Sequence, residues 1–132
     1  AVGSVGLVFV ASIGIIVLIA NLSPQFAFEG ESSKGETAQE RGKALFSDPS
    51  VGCFLCHAVA GAGGTRGPEL THAATVDESR RPGLSARDYL KESLTTPGAY
   101  VVPTFDNIMP PFGDRLSLEQ LEDMLAYLLA LK

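Results

Sequence analysis

The 132 residues suffice for one domain with an appendage, and the hydrophobic share of 45% is concentrated at the N-terminal end. Fifteen acidic against ten basic residues give a net charge of −5, with every charge from Glu29 onward, which excludes nucleic acid as an expected partner. With two cysteines and two histidines in all, no second thiol pair exists to complete a four-cysteine zinc site.

Residues 1–20 contain no charge and no proline and are rich in Val, Ile and Leu. About 20 apolar residues is what a helix needs to cross a hydrocarbon core of ~30 Å. The rival is a secretory signal peptide, whose apolar region usually runs only ~7–15 residues before a small-x-small cleavage site. No convincing site follows Ala20, so residues 1–22 read as a transmembrane anchor expected to stay on the chain. No cysteine lies near the end of the segment to serve as a lipid anchor. Residues 23–36 carry Ser, Pro, Gly and Glu without period, the composition of a linker. As a random coil, ~14 residues reach about 20 Å. Alternatively, Phe26 and Phe28 sit at the membrane interface or against a partner and hold the domain still.

The domain proper is expected over residues 37–132. Thr37-x-x-Glu40 forms a capping box for a first helix with Ala38, Ala44, Leu45 and Phe46 on its apolar side, ended by Asp48-Pro49-Ser50. Cys53-Phe54-Leu55-Cys56-His57 follows, a C-x-x-C-H pattern. The spacing lets two thiols add to the vinyl groups of one porphyrin edge, with the adjacent imidazole as proximal iron ligand. A covalently attached haem c is therefore the expected cofactor. C-x-x-C alone also suits a thioredoxin-like pair or half of a zinc site. His72 is too distant for a finger-type pair, and no βαβ pattern surrounds the motif.

Residues 61–67 hold four glycines and read as a loop passing close to the macrocycle. Ser85-x-x-Asp88 starts a second helix carrying Tyr89, Leu90 and Leu94, which ends before Pro97. Residues 100–113 contain three prolines and no helical period. Ser117-x-x-Gln120 caps a last helix with Leu118, Leu121, Met124, Leu125, Leu128 and Leu131 at helical spacing. No strand pattern of useful length appears, so an all-α domain of three main helices, with a haem supplying much of the buried surface, is predicted.

Haem iron takes a sixth ligand or keeps an open site, which separates a carrier from a catalyst. Met124 lies on the apolar stripe of the last helix, where a core role is expected, and His72 stands in a short polar stretch and reads as a surface histidine. Met109 stands in a non-helical loop stiffened by Pro110 and Pro111 and is the candidate distal ligand.

Taken together, Gly42-Lys43-Ala44-Leu45-Phe46, Cys53-x-x-Cys56-His57, Gly67-Pro68-Glu69-Leu70, Met109-Pro110-Pro111-Phe112 and Leu125-Ala126-Tyr127-Leu128 resemble a class I monohaem cytochrome c from about residue 37 to the end. The resemblance implies that Gly42 and Phe46 pack the first helix across the last, against Met124 and Tyr127. It implies that the Pro68 carbonyl accepts from Nδ1–H of His57 and that Leu70 rests on the haem. Tyr89, Tyr100, Phe105 and Phe112 are expected to line the haem pocket, and Arg66 either approaches a propionate or stays solvated.

The stretch from Tyr89 through Pro103 is especially similar to the cytochrome domain of caa-type oxidase subunit II. The sequence contains no copper-binding cupredoxin domain, so the oxidase subunit itself is not expected. The implied function is transfer of single electrons between membrane redox complexes of a respiratory or photosynthetic chain. The protein would act as a subunit of an assembly such as alternative complex III or a nitric oxide reductase, or else as a free tethered shuttle. Expected partners are subunits of such complexes or donor and acceptor cytochromes, with no small-molecule substrate. A haem enzyme or gas sensor with an open distal site is the alternative of a different class. Because covalent haem attachment takes place outside the cytoplasmic membrane, the domain is expected on the periplasmic or extracytoplasmic side of a bacterial cytoplasmic membrane, on a single-pass anchor. Phe54, Leu55, Ala58, Val59, Ala60 and Ala62, with residues 108–113, predict a largely apolar docking face.

Overall fold

The structure, a computed structural model, describes residues 36–132, and of these the side chains of all but 76–78. The anchor expected at 1–22 and nearly all of the linker at 23–36 lie outside the described residues. Among the described residues no helix is long and apolar enough to cross a membrane.

Helix α1 (Ala38–Ser47) begins at the expected capping box: Thr37 Oγ1 accepts from the Glu40 amide at 3.2 Å, and the Thr37 amide donates to Glu40 Oε2 at 2.7 Å. It ends at Asp48, whose Oδ1 accepts from both the amide and the hydroxyl of Ser50 at 2.8 Å. One helical turn, α2 (Cys53–Cys56), carries the cysteines. Strands β1 (Ala58–Val59) and β2 (Ala62–Gly63) then pair antiparallel with Ala58 opposite Gly63. Ala60 and Gly61 turn between them with φ of 51° and 76°, the two positive values that a tight hairpin turn requires. Helix α3 (Ala73–Arg80) and helix α4 (Ala86–Thr95) follow, the latter capped by Ser85, whose side chain accepts from the Asp88 amide. A 3₁₀ turn (Pro97–Ala99) leads into the irregular segment 101–112. Helix α5 (Leu118–Ala130) is capped reciprocally by Ser117 and Gln120.

The frame of the domain is the crossing of α1 over α5. A Cβ at Gly42 would fall 1.9 Å from the Asp123 carbonyl oxygen and 2.8 Å from Tyr127 Cβ, so only glycine permits this approach. One turn away, the rings of Phe46 and Tyr127 meet with centroids 5.5 Å apart and planes tilted by 55°. Asp123, 4% exposed, receives Arg41 in a forked pair, Nε to Oδ2 at 2.8 Å and Nη2 to Oδ1 at 2.6 Å. The implied partner of Tyr127 is thus present, while the glycine faces Asp123 and Tyr127 more closely than Met124. From α4, Leu90 and Leu94 join Phe46, Met124, Leu125 and Leu128 in one core.

Three local expectations are corrected. Ala44 is exposed, because the face of α1 that meets α5 runs through Gly42 and Phe46. Leu118 is 84% exposed: it is the first residue of α5, where no described element covers the stripe. Helix α3 and the β1–β2 ladder were not expected, since α3 has little apolar periodicity and two-residue strands carry no alternation to read.

Gly42→Ala is expected to lower the unfolding free energy of the holoprotein by about 3 kcal/mol, because α1 and α5 must separate to admit a methyl group. Denaturant unfolding measures it, and a loss under about 0.5 kcal/mol would show that the crossing is not this tight.

Candidate functional site

Cys53 and Cys56 stand at i and i+3 on the single turn of α2, which brings both thiols to one side. Both are unpaired and half-buried, and with His57 they border a cavity of about 340 Å³. Burial pushes the Cys53 thiol up to about 11, so without a bound group it is protonated at neutral pH. Among the described residues no group of three or more His, Cys, Asp or Glu could hold a metal ion. A zinc site of His, Cys, Asp or Glu ligands therefore finds no support among the described residues.

The segment after the motif folds back directly onto it. The Gly64 amide donates to the Phe54 carbonyl at 2.8 Å, that of Gly67 to Cys56 at 2.8 Å, and that of Leu70 to Ala58 at 2.9 Å. A Cβ at Gly64 would lie 2.0 Å from the Leu55 carbonyl oxygen, and one at Gly67 would lie 2.5 Å from Cε1 of the His57 ring. Gly67 borders the cavity, whereas Gly64 is needed for contact with the backbone of the motif itself.

Pro68, held between the anchored residues 67 and 70, turns its carbonyl to Nδ1 of His57 at 2.7 Å. A carbonyl can only accept, so Nδ1 carries the proton and Nε2 keeps its lone pair. Burial lowers the His57 pKa, and the bond to Pro68 opposes this in part. The result is a neutral imidazole with a fixed orientation, the state needed for metal ligation.

Met109 borders the same cavity from the segment 101–112 and is half-buried. That segment is tied to α4 by the Phe112 amide, which donates to the Leu94 carbonyl at 2.8 Å. Pro68, Leu70, Tyr100 and the exposed Arg66 also border the cavity, as do Tyr89, Phe105 and Phe112. Met124 reaches it too, although it is 1% exposed and part of the α5 core. His72 is exposed at the N-terminus of α3 and is not among the residues lining the cavity.

Sequence reasoning missed Leu90 and Leu94 as cavity residues, although the α4 stripe signalled their burial, and Arg80, which lies on the unexpected α3. The predicted apolar face shrinks. Ala58 is 8% exposed, Phe112 is 4% exposed, and Phe54 and Val59 pack against the core. Its large side chains Leu55 and Ile108 remain, 56% and 47% exposed, at the edge of the cavity, and Ala60, Ala62, Pro110, Pro111 and Gly113 are exposed as well.

Residues 39–132, more than half of the chain, match the cytochrome c family. The chain belongs to that family. No curated protein and no solved structure matches it in the same comparisons. Cytochromes c carry covalent haem c, and Cys53 and Cys56 are consistent with its C-x-x-C-H site. The site fits the group: two free thiols on one helical turn, an oriented neutral imidazole beside them, and a mostly apolar cavity between α2, α4 and the segment 101–112. Bound haem c supplies a one-electron iron couple, and the family function is electron transfer.

Gly67→Ala is expected to push the His57 ring off the Pro68 carbonyl. Loss of a hydrogen bond worth about 1 kcal/mol should speed exchange of the His57 Nδ1–H proton with solvent by on the order of tenfold. NMR of the reduced holoprotein measures this, and unchanged exchange would show that the ring is not pinned there.

Proposed function

We propose that this cytochrome c is a membrane-anchored carrier that passes single electrons between membrane redox complexes, with His57 and Met109 as the two axial ligands of its haem. The observation that carries the reading is the pairing of side chains on one cavity: an imidazole whose free nitrogen is selected by the Pro68 carbonyl, and a thioether on the proline-stiffened segment 101–112. With both axial positions filled by the protein, no site remains for a substrate, which fits a carrier and not an enzyme. A thioether ligand favours the reduced iron relative to a second imidazole and so raises the potential.

Residues 1–22 supply the anchor in this reading, and residues 23–36 the linker, with the haem domain on the periplasmic side of a bacterial cytoplasmic membrane. The short linker of ~14 residues favours a subunit of a larger assembly, such as alternative complex III, over a free shuttle. Leu55 and Ile108, exposed at the edge of the cavity, are the contact points for a partner.

Met109→Ala is expected to lower the potential and to let cyanide or carbon monoxide bind readily. Met124→Ala is expected to do neither, and to cost about 2–5 kcal/mol of stability as a core cavity. Exchange of the two phenotypes would overturn the ligand assignment. In the same preparation, the full-length protein should stay with membranes through a high-salt wash, whereas release by salt would overturn the anchor.

A further inference from the structure

Tyr100 borders the cavity, and beside it lies a half-buried charge pair that the site as described does not use. The Arg81 guanidinium sits over the Tyr100 ring, 5.6 Å from its centroid, within the range of a cation–π contact. Its Nη1 donates to the carbonyl of Ala99 at 3.2 Å, so one side chain grips both the face of the ring and the backbone just before it. Nη2 lies 3.4 Å from each carboxylate oxygen of Glu92, on α4. Tyr89, also on α4, meets the Tyr100 ring nearly edge-on, at 5.9 Å and 70°.

Glu92 carries an oxygen that the fold leaves unmatched. Its Oε1 is buried and has no hydrogen-bond partner among the described residues. Such an oxygen destabilises the fold unless a charge beside it compensates, and Arg81 Nη2 lies beside it. Neither Arg81 nor Glu92 is among the residues lining the cavity, so each acts on it through Tyr100 or through its electric field.

We propose that Arg81 is a positioning residue for electron transfer: with Glu92 as its counter-charge it holds Tyr100 in the cavity wall, and the neutral pair keeps either charge from biasing the haem potential. This rests on the cavity being the haem site. A negative charge left alone beside Tyr100 would favour the oxidised iron of a haem in the cavity, and a positive charge the reduced iron. The side chains are 33% and 28% exposed, so salt screens the effect and low ionic strength reveals it.

The experiment compares reduction potentials of wild-type, Arg81→Gln, Glu92→Gln and double-variant holoproteins at low salt, after mass measurement shows haem attached in each. Arg81→Gln should lower the potential, Glu92→Gln should raise it, and the double variant should return close to wild type. A merely structural pair would loosen the wall and admit water in both single variants, shifting them in the same direction. That result, or no shift in either, overturns the inference. Arg81→Lys keeps the charge but not the planar fork, so the potential should stay near wild type while the Tyr100 ring flips faster by NMR. A ring as restrained as in wild type would overturn the positioning role. Failure of the underlying site reading appears separately, as wild-type protein whose potential does not respond to Met109→Ala.

Discussion

The bond from His57 Nδ1–H to the Pro68 carbonyl, 2.7 Å long, is the interaction on which the site depends. It selects the tautomer, fixes the plane of the ring and leaves Nε2 with a free lone pair. It exists because the chain after Cys56 is laid back over the motif, tied at residues 64, 67 and 70 by main-chain hydrogen bonds. The glycines are the condition for that fold-back: a methyl group at Gly64 or Gly67 would collide with the motif's backbone or with the imidazole itself. Composition, backbone path and protonation state are therefore one constraint seen at three scales.

A fixed imidazole is useful only if the other wall of the cavity is fixed as well, and that wall hangs on the helical frame. The α1–α5 crossing is closed by Gly42, the Phe46–Tyr127 pair and the forked Arg41–Asp123 bridge. Against it α4 places Leu90 and Leu94, and the Leu94 carbonyl takes the Phe112 amide at the end of the segment that carries Met109. The two sides of the cavity are thus held by different devices. The His57 side rests on local main-chain bonds close in sequence, while the Met109 side rests on helix packing between distant parts of the chain. A change in α1 or α5 should reach Met109 before it reaches His57.

How far the sequence could be read follows from this difference in range. The capping boxes at Thr37 and Ser117 and the cap at Ser85 involve residues three apart, so they were legible and they start the helices where expected. The attachment motif was legible because its chemistry requires that spacing. Leu118 misled because periodicity reports a face and not what covers it. The apolar run from Phe54 to Ala62 misled in the same way, since Ala58 is buried and Val59 packs against the core, on a two-residue strand invisible as a pattern. The Arg81–Glu92–Tyr100 arrangement joins three separate elements, and nothing in local sequence announces it.

The central claim is that an imidazole and a thioether from this chain complete the coordination of a covalently held haem. The absorption and electron paramagnetic resonance spectra of the oxidised wild-type holoprotein at neutral pH test it most directly. The account predicts a low-spin ferric signal together with the weak methionine-to-iron band at the red end of the visible spectrum. A high-spin signal without that band would contradict it, and would point to an open distal site and to catalysis or gas sensing in place of electron transfer.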